Sequence, residues 1–235
     1  LVLRRRPEDL GLARDGRAQD EAAPRIEPAG HSRGAVWSAV RRTDFAILTA
    51  AVAASSFATA TVIVHQLPHL TEQGLDPGTA GAALGLIGVA SLPARWVLSS
   101  LASRISPAVI LACVTAAMGG SLFILAGASN MGAVYAYVLL FGVGFGTLQP
   151  LRAEVMARSF EREIYGSVLG VQGVALAIVG AAGPLAAGLA RDATGGYGGV
   201  IIALAAFYFG SSALMLYAAR ASGPVRPMTT DTRRM

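Results

Sequence analysis

The sequence is short of charged residues, of cysteine and of lysine, and the first two shortages exclude whole classes of protein. Only 14% of its 235 residues are charged, whereas 54% are hydrophobic, and the mean hydropathy is +0.55. These values are too apolar for an ordinary soluble domain of this length. A single cysteine, Cys113, excludes a disulfide framework and a thiol-ligated metal site. Because lysine is absent, all nineteen basic residues are arginine. The composition predicts a chain that lies in a bilayer.

Six long apolar runs are each suited to cross a membrane as a helix. A helix needs about 20 apolar residues to cover a hydrocarbon core roughly 30 Å thick. The runs therefore predict an all-α membrane protein with six transmembrane helices. They comprise residues 45–64, 79–101, 107–127, 131–151, 166–190 and 199–219.

The arginines are unevenly distributed about these runs. With the runs drawn as spans, all but Arg191 fall on one side of the membrane, including Arg152, Arg158 and Arg162 between the fourth and fifth runs. Because an excess of arginine marks cytoplasmic loops, we predict a multi-pass protein of the plasma (inner) membrane with both termini cytoplasmic. The net charge of +5 and the pI near 10 then reflect topology, and no nucleic-acid partner is predicted.

The two ends of the chain differ in composition from the part between them. Residues 1–40 are predicted to be a cytoplasmic linker, with an amphipathic segment around Trp37 that suits the membrane interface. Residues 41–220 are predicted to form the six-helix bundle, and residues 221–235 a disordered cytoplasmic tail. The chain starts at Leu1 without a signal-peptide pattern, and its first three residues look like the end of a preceding segment.

Small residues recur at helical spacing in three of the runs. The second run has Gly81, Gly85 and Gly88 on the face of Arg95, and the fourth has a Gly-x-x-x-Gly pair. Such faces let helices approach closely in lipid, so we predict tight or sliding helix contacts, with a static bundle as the alternative. The pair is Gly142 and Gly146, and the fifth run has Gly166, Gly170, Gly173, Ala177, Gly180, Pro184 and Ala187.

Arg95 is the one charged residue inside a run. It lies about 24 Å along its helix, which places it in the inner leaflet, and Ser91 shares its small, polar face. The side chain is therefore predicted to point into the bundle, where it contacts an anionic substrate or acts at the cytoplasmic mouth. Snorkelling to lipid phosphates is the third possibility.

Other polar residues in the runs are few. Gln149 and Gln172 are further candidates for the substrate site, or for bonds between helices. No carboxylate lies in the middle of any run, so the sequence indicates no proton relay.

The sequence also allows alternatives to substrate transport. His65 and His69 are four residues apart, but Pro68 separates them and no third ligand lies nearby, so we predict an interfacial helix cap and no metal or cofactor. An intramembrane hydrolase needs a base beside a nucleophile, and the histidines lie only before or at the end of the first run. A truncated protein or a scaffold without transport activity is the other alternative.

The residues from 166 to 197 resemble the eleventh helix and following loop of major facilitator superfamily transporters. The resemblance is to the monocarboxylate and oxalate–formate antiporter branch. "RRRPEDLGL" is similar to the central loop of that branch, and "HQLPHLTEQGL" to the exit of its seventh helix. The matching residues of the eleventh-helix segment are Gly183, Pro184, Gly188, Asp192, Thr194, Gly195 and Tyr197.

The resemblance covers only the second half of the family fold. It implies that the six runs are helices seven to twelve, arranged as two inverted three-helix repeats. It also implies transport of a small solute by alternating access, with an organic anion such as a monocarboxylate as the substrate. The partners would be the substrate, membrane lipid and a missing N-terminal six-helix half or a second copy of the chain. This chain alone is then expected to move no substrate.

The resemblance also implies roles for individual residues. Arg95 stands where the branch has an arginine that contacts the substrate carboxylate, whereas Ser91 replaces an aspartate used in proton coupling. Arg104 matches the cytoplasmic loop motif of the family, but Ser103 stands where that motif has an aspartate. Arg104, Asp192 and the small residues are predicted to act in gating or helix packing. The lysine that oxalate–formate antiporters have on the eleventh helix is absent.

Overall fold

The computed structural model describes residues 33–102 and 104–221, and all regular structure within these ranges is helical. Most of the predicted linker, the predicted tail and Ser103 therefore lie outside the described residues. The helices are α1 (Arg33–Val40), α2 (Thr43–Glu72), α3 (Pro77–Leu101), α4 (Pro107–Ala126), α5 (Met131–Ser159), α6 (Tyr165–Thr194) and α7 (Gly198–Ala221). Six of them, α2 to α7, are long and apolar enough to cross a membrane, which confirms the predicted number of spans.

Three helices continue beyond their predicted ends. Helix α2 continues from residue 64 to Glu72, α5 from residue 151 to Ser159, and α6 from residue 190 to Thr194. A hydropathy pattern reports only the part of a helix that contacts hydrocarbon, so polar helical turns beyond that part are missed. The consequence is largest for Arg152, because it lies just outside the predicted fourth span and yet belongs to α5.

The packing of α2 to α7 repeats after three helices. Helix α2 packs along α6 and α7, α5 packs along α3 and α4, and α4 contacts α7. If α2 is exchanged with α5, α3 with α6 and α4 with α7, the same pairs of helices are in contact. Two three-helix repeats are therefore interlocked, because the first helix of each repeat packs on the second and third helices of the other.

Glycines make the closest helix contacts. A Cβ atom on Gly146 of α5 would lie 2.5 Å from the carbonyl oxygen of Ser91 on α3, and one on Gly142 would lie 2.7 Å from Cβ of Ala90. The α3–α5 contact therefore requires glycine at both positions. Helix α6 approaches α2 most closely at Gly183, where a Cβ would meet Thr61 and the backbone of Phe57.

The small face predicted for α6 is not a helix contact along its whole length. A Cβ added at Gly166 or Gly170 would meet nothing within 4 Å. The tight contact is made instead by Gly183, which the predicted face does not include. The physical reason is that a small residue allows a neighbouring helix to approach but can also leave open space beside its own helix. The small residues of α6 include both cases.

Buried polar side chains bond between helices. The hydroxyl of Tyr137 on α5 donates to Oε1 of Gln66 on α2 at 2.6 Å, and the hydroxyls of Tyr208 on α7 and Thr59 on α2 are 2.7 Å apart. These bonds satisfy groups that would otherwise be costly in an apolar interior.

The tryptophan of the predicted interfacial segment is at one edge of the bundle. Trp37 of α1 is 60% exposed.

Candidate substrate cavity

A cavity of about 590 Å³ lies among α2, α3, α5 and α6. This volume is within the range of small-molecule sites, roughly 300–1,000 Å³. Most of its lining is apolar or glycine, as is usual for such sites. The polar lining residues are Ser55, Ser56 and Thr59 from α2, Arg95 from α3, and Gln149 and Arg152 from α5.

Arg95 is held at the cavity by a backbone carbonyl. Its Nε donates to the carbonyl oxygen of Gly146 on α5 at 3.0 Å. In a regular helix that oxygen would accept from the N–H four residues later, but that residue is Pro150, which has no N–H. The proline therefore leaves an acceptor that the guanidinium satisfies. The close approach of α3 to α5 at Gly146 brings the two groups within reach.

The terminal nitrogens of Arg95 remain available. Among the described residues, hydrogen bonds of Arg95 to the protein are made through Nε alone. Arg95 lines the cavity, and its Nη1 and Nη2 make no hydrogen bond to a described residue. That fork matches a carboxylate, which accepts two parallel hydrogen bonds from it.

Arg152 is the second cation of the cavity, and amide side chains hold it. Its Nε donates to Oε1 of Gln172 on α6 at 2.7 Å, and its Nη1 donates to Oε1 of Gln149 at 3.2 Å. Gln172 also donates from Nε2 to Oγ1 of Thr49 on α2 at 3.3 Å. This network joins three helices around one guanidinium.

The charge of the cavity is unbalanced. In the ranges that the structure describes, no carboxylate lines the cavity and neither Arg95 nor Arg152 forms an ion pair. The described arginines that do form ion pairs are Arg42, Arg158 and Arg191. Charges within proteins are normally paired because removing them from water is costly. Two guanidinium groups held only by neutral partners therefore make the cavity attractive to anions.

Two of the four predicted substrate-binding residues line this cavity and two do not. Arg95 and Gln149 are in its wall. Ser91 is only 4% exposed and donates to the carbonyl of Gly88 at 2.6 Å, because its face of α3 packs on Gly146. Gln172 is fully buried behind Arg152, whose orientation it determines. Ser91 and Gln172 therefore lie outside the cavity wall in this structure, and their direct contact with substrate stays a prediction.

The sequence reasoning missed Arg152 because hydropathy ended the fourth span at residue 151. One signal was available in the helical spacing. Gln149 and Arg152 are three residues apart, so an extended helix places both side chains on one face. No glycine follows Pro150 before the end of α5, which is consistent with such an extension.

Small residues form the α6 wall of the cavity. Gly173, Ala177 and Gly180 line it, and a Cβ at Gly173 would lie 4.0 Å from Nη2 of Arg152. These residues leave volume beside the arginine. Part of the small face that was predicted for helix packing therefore serves the cavity.

Arg104, Asp192 and the two histidines of α2 lie outside the wall of the cavity. Arg104 is exposed between α3 and α4, and Asp192 approaches Arg191 at 3.4 Å. His65 and His69 bond through Nε2 to the backbone oxygens of Pro184 and Leu125, each at 3.0 Å. Among the described residues no group of three potential metal ligands is found.

A bundle of six membrane-crossing helices, built from two repeats around a cavity for a small molecule, is the architecture of a membrane transporter. The comparison with known families agrees with this class. The model of the Major Facilitator Superfamily matches residues 1–184, most of the chain. The chain therefore belongs to the Major Facilitator Superfamily, whose members are transporters rather than enzymes. A search of curated proteins finds no match.

Proposed function

We propose that the chain forms the anion-binding bundle of a transporter for small organic anions, of the monocarboxylate and oxalate–formate antiporter type. The observation that supports this most is the position of Arg95 in the cavity, with its terminal nitrogens unbonded among the described residues. A substrate carboxylate would accept two hydrogen bonds from this guanidinium. A cationic substrate would meet two arginines and no acid among the described residues of the cavity wall.

The proposal includes a second bundle that covers the cavity. Arg95, Phe145 and Gln149 line the cavity and are exposed on the surface of this bundle. Arginine inside a membrane normally faces protein or water rather than lipid, because exposure to hydrocarbon is costly. A second six-helix bundle, whether another part of the same protein or a second copy of this chain, would remove this exposure. Alternating access would follow from rocking one bundle against the other.

The proposed orientation places both ends of the chain in the cytoplasm. The support is the distribution of arginine, since all but Arg191 fall on one side of the six spans. Residues 1–40 would then be a cytoplasmic linker ending in the interfacial helix, residues 41–220 the bundle and residues 221–235 a cytoplasmic tail. The inner membrane of the cell is the proposed location.

Uptake by the full-length gene product in proteoliposomes tests the function. We expect uptake of small radiolabelled monocarboxylates that Arg95→Ala reduces about tenfold or more, because a buried charge partner is lost. Arg95→Lys should reduce uptake less, since it keeps the charge but not the fork. Arg162→Ala is the matched control, because Arg162 is exposed on the loop between α5 and α6.

Three outcomes would count against the proposal. Unchanged uptake in both Arg95 variants would remove this residue from the site. Uptake of organic cations in place of anions would reverse the assigned substrate charge. A protein that is folded and reconstituted but moves no solute of either charge would be a membrane scaffold.

A further inference from the structure

Arg152 of α5 and Arg95 of α3 line the same cavity, and the backbone carbonyl that holds Arg95 also belongs to α5. Arg95 is attached to the carbonyl of Gly146, and Arg152 lies six residues further along α5, about 9 Å at 1.5 Å per residue. Both residues line the cavity. Two cationic groups are therefore offered to one ligand at different depths of the bundle.

The protein orients Arg152 without neutralising it. Gln172 and Gln149 accept hydrogen bonds from Nε and Nη1 through amide oxygens, which leave the positive charge undiminished. Gln172 is fully buried and is itself bonded to Thr49. If the arginine were needed only to stabilise the bundle, a carboxylate partner would do so without leaving a net charge.

The remaining nitrogen of Arg152 has space around it. No hydrogen bond of Nη2 to a described residue is found. A Cβ at Gly173 of α6 would lie 4.0 Å from Nη2, so the missing side chain leaves space beside it. Ser56 lines the cavity from α2 and can donate to the same anionic group. The hydroxyls of Ser55 and Thr59 also line it but donate to the carbonyl oxygens of Val52 and Ser55.

We propose that Arg152 is a second anion-binding residue, so that the preferred substrates are dicarboxylates with one carboxylate on Arg95 and the other on Arg152. This inference rests on the proposed transport of organic anions. It adds a residue that determines specificity and a substrate class that carries two negative charges.

Matched four-carbon ligands test the proposal in the full-length gene product. Succinate, monomethyl succinate and butyrate are compared at neutral pH for binding to the protein in nanodiscs and for counterflow in proteoliposomes. We expect succinate to bind at least about tenfold more tightly than the two monoanions, since a hydrogen-bonded charge pair adds a factor of that size. The affinities of malonate, glutarate and adipate, measured in the same way, then show which distance between two carboxylates the two arginines bind best.

Single substitutions assign the effect to Arg152. Arg152→Gln should weaken succinate binding about tenfold or more and change butyrate binding less than about threefold. Arg95→Gln should weaken both ligands. Arg162→Gln should alter neither, because it lies outside the cavity. Arg152→Lys keeps the charge and is expected to retain part of the preference for succinate. This variant tests the role of the charge even if Arg152→Gln does not fold.

Failure of this proposal can be distinguished from failure of the transport function. Equal binding of succinate and butyrate, dependent on Arg95, would overturn the role of Arg152 and leave anion transport intact. An Arg152→Gln protein that loses affinity equally for both ligands would make Arg152 a structural residue. Absence of binding by anions of either charge would overturn both proposals.

Discussion

Arg191 at the C-terminal end of α6 binds Glu72 at the end of α2 through two hydrogen bonds to Oε1, from Nε at 3.2 Å and from Nη2 at 2.9 Å. The backbone N–H of Tyr197 donates to the other oxygen of Glu72 at 3.4 Å, and the guanidinium lies 5.6 Å from the centre of the Tyr197 ring. Gly195, with φ of 81°, ends α6 and turns the chain back toward this pair. The residues that carry the family resemblance therefore join the first repeat to the second.

Breaking this pair is expected to weaken the contact between α2 and α6 slightly. Glu72→Gln and Arg191→Gln should each lower the melting temperature in detergent by less than about 4 °C, because exposed ion pairs contribute little. The exchange Glu72→Arg with Arg191→Glu should recover part of the loss. Additive losses in the double glutamine variant would contradict a direct coupling of the two side chains.

Gly146→Ala should damage the bundle, whereas Gly170→Ala should not. A Cβ at position 146 meets the backbone of Ser91, so α3 and α5 must separate, at a cost of about 1–3 kcal/mol. The same separation would pull Arg95 from the carbonyl that holds it. At position 170 a Cβ meets nothing within 4 Å, and alanine favours the helix. The measurement is thermal stability of both variants in one detergent, and equal stability would contradict the close approach at Gly146.

The number of helices could be predicted from the sequence, but the contents of the cavity could not. Hydropathy reports contact with lipid, and this signal suffices for six spans. This signal is lost where a helix leaves the hydrocarbon, which is why Arg152 falls outside the predicted fourth span although α5 continues to Ser159. The acceptor for Arg95 was equally hidden, because it depends on a backbone carbonyl that Pro150 leaves free on another helix.

The side on which a small residue packs also could not be predicted. Gly146 and Gly173 each lie at helical spacing from another glycine, Gly142 and Gly170 respectively. The first is pressed against α3, and the second borders the cavity. A helical sequence indicates which residues share a face, whereas the arrangement of the other helices determines whether that face meets protein or open space.

The carboxylate of Asp76 caps the N-terminal end of α3, and this cap depends on pH. Its Oδ2 accepts from the backbone N–H and from the hydroxyl of Thr79, both at 2.8 Å, at the start of α3. These two donors, the backbone N–H first, lower the pKa of the Asp76 carboxyl below its ordinary value. The stabilisation is therefore present above the pKa of the unfolded chain and is lost as the pH falls through the lower, folded value.

Asp76→Asn should remove this part of the pH dependence. Asparagine still caps the helix but does not titrate in this range. We expect the melting temperature of the original protein to fall more steeply below about pH 4 than that of the variant. Parallel melting curves for the two proteins across pH 3 to 6 would mean that the cap does not contribute in this way.

A thiol in the cavity should be reached from water and protected by substrate. Ser56→Cys, made in a Cys113→Ser background, places a thiol on the α2 wall, whereas Val174→Cys places one on the opposite, apolar face of α6. Charged thiol reagents need water, so we expect labelling at position 56 and little at position 174. Anionic substrate should slow labelling at position 56 because it occupies the same space as the reagent. Equal labelling of both positions, or a rate at position 56 that no anion changes, would mean that the space between α2 and α5 is not the substrate path.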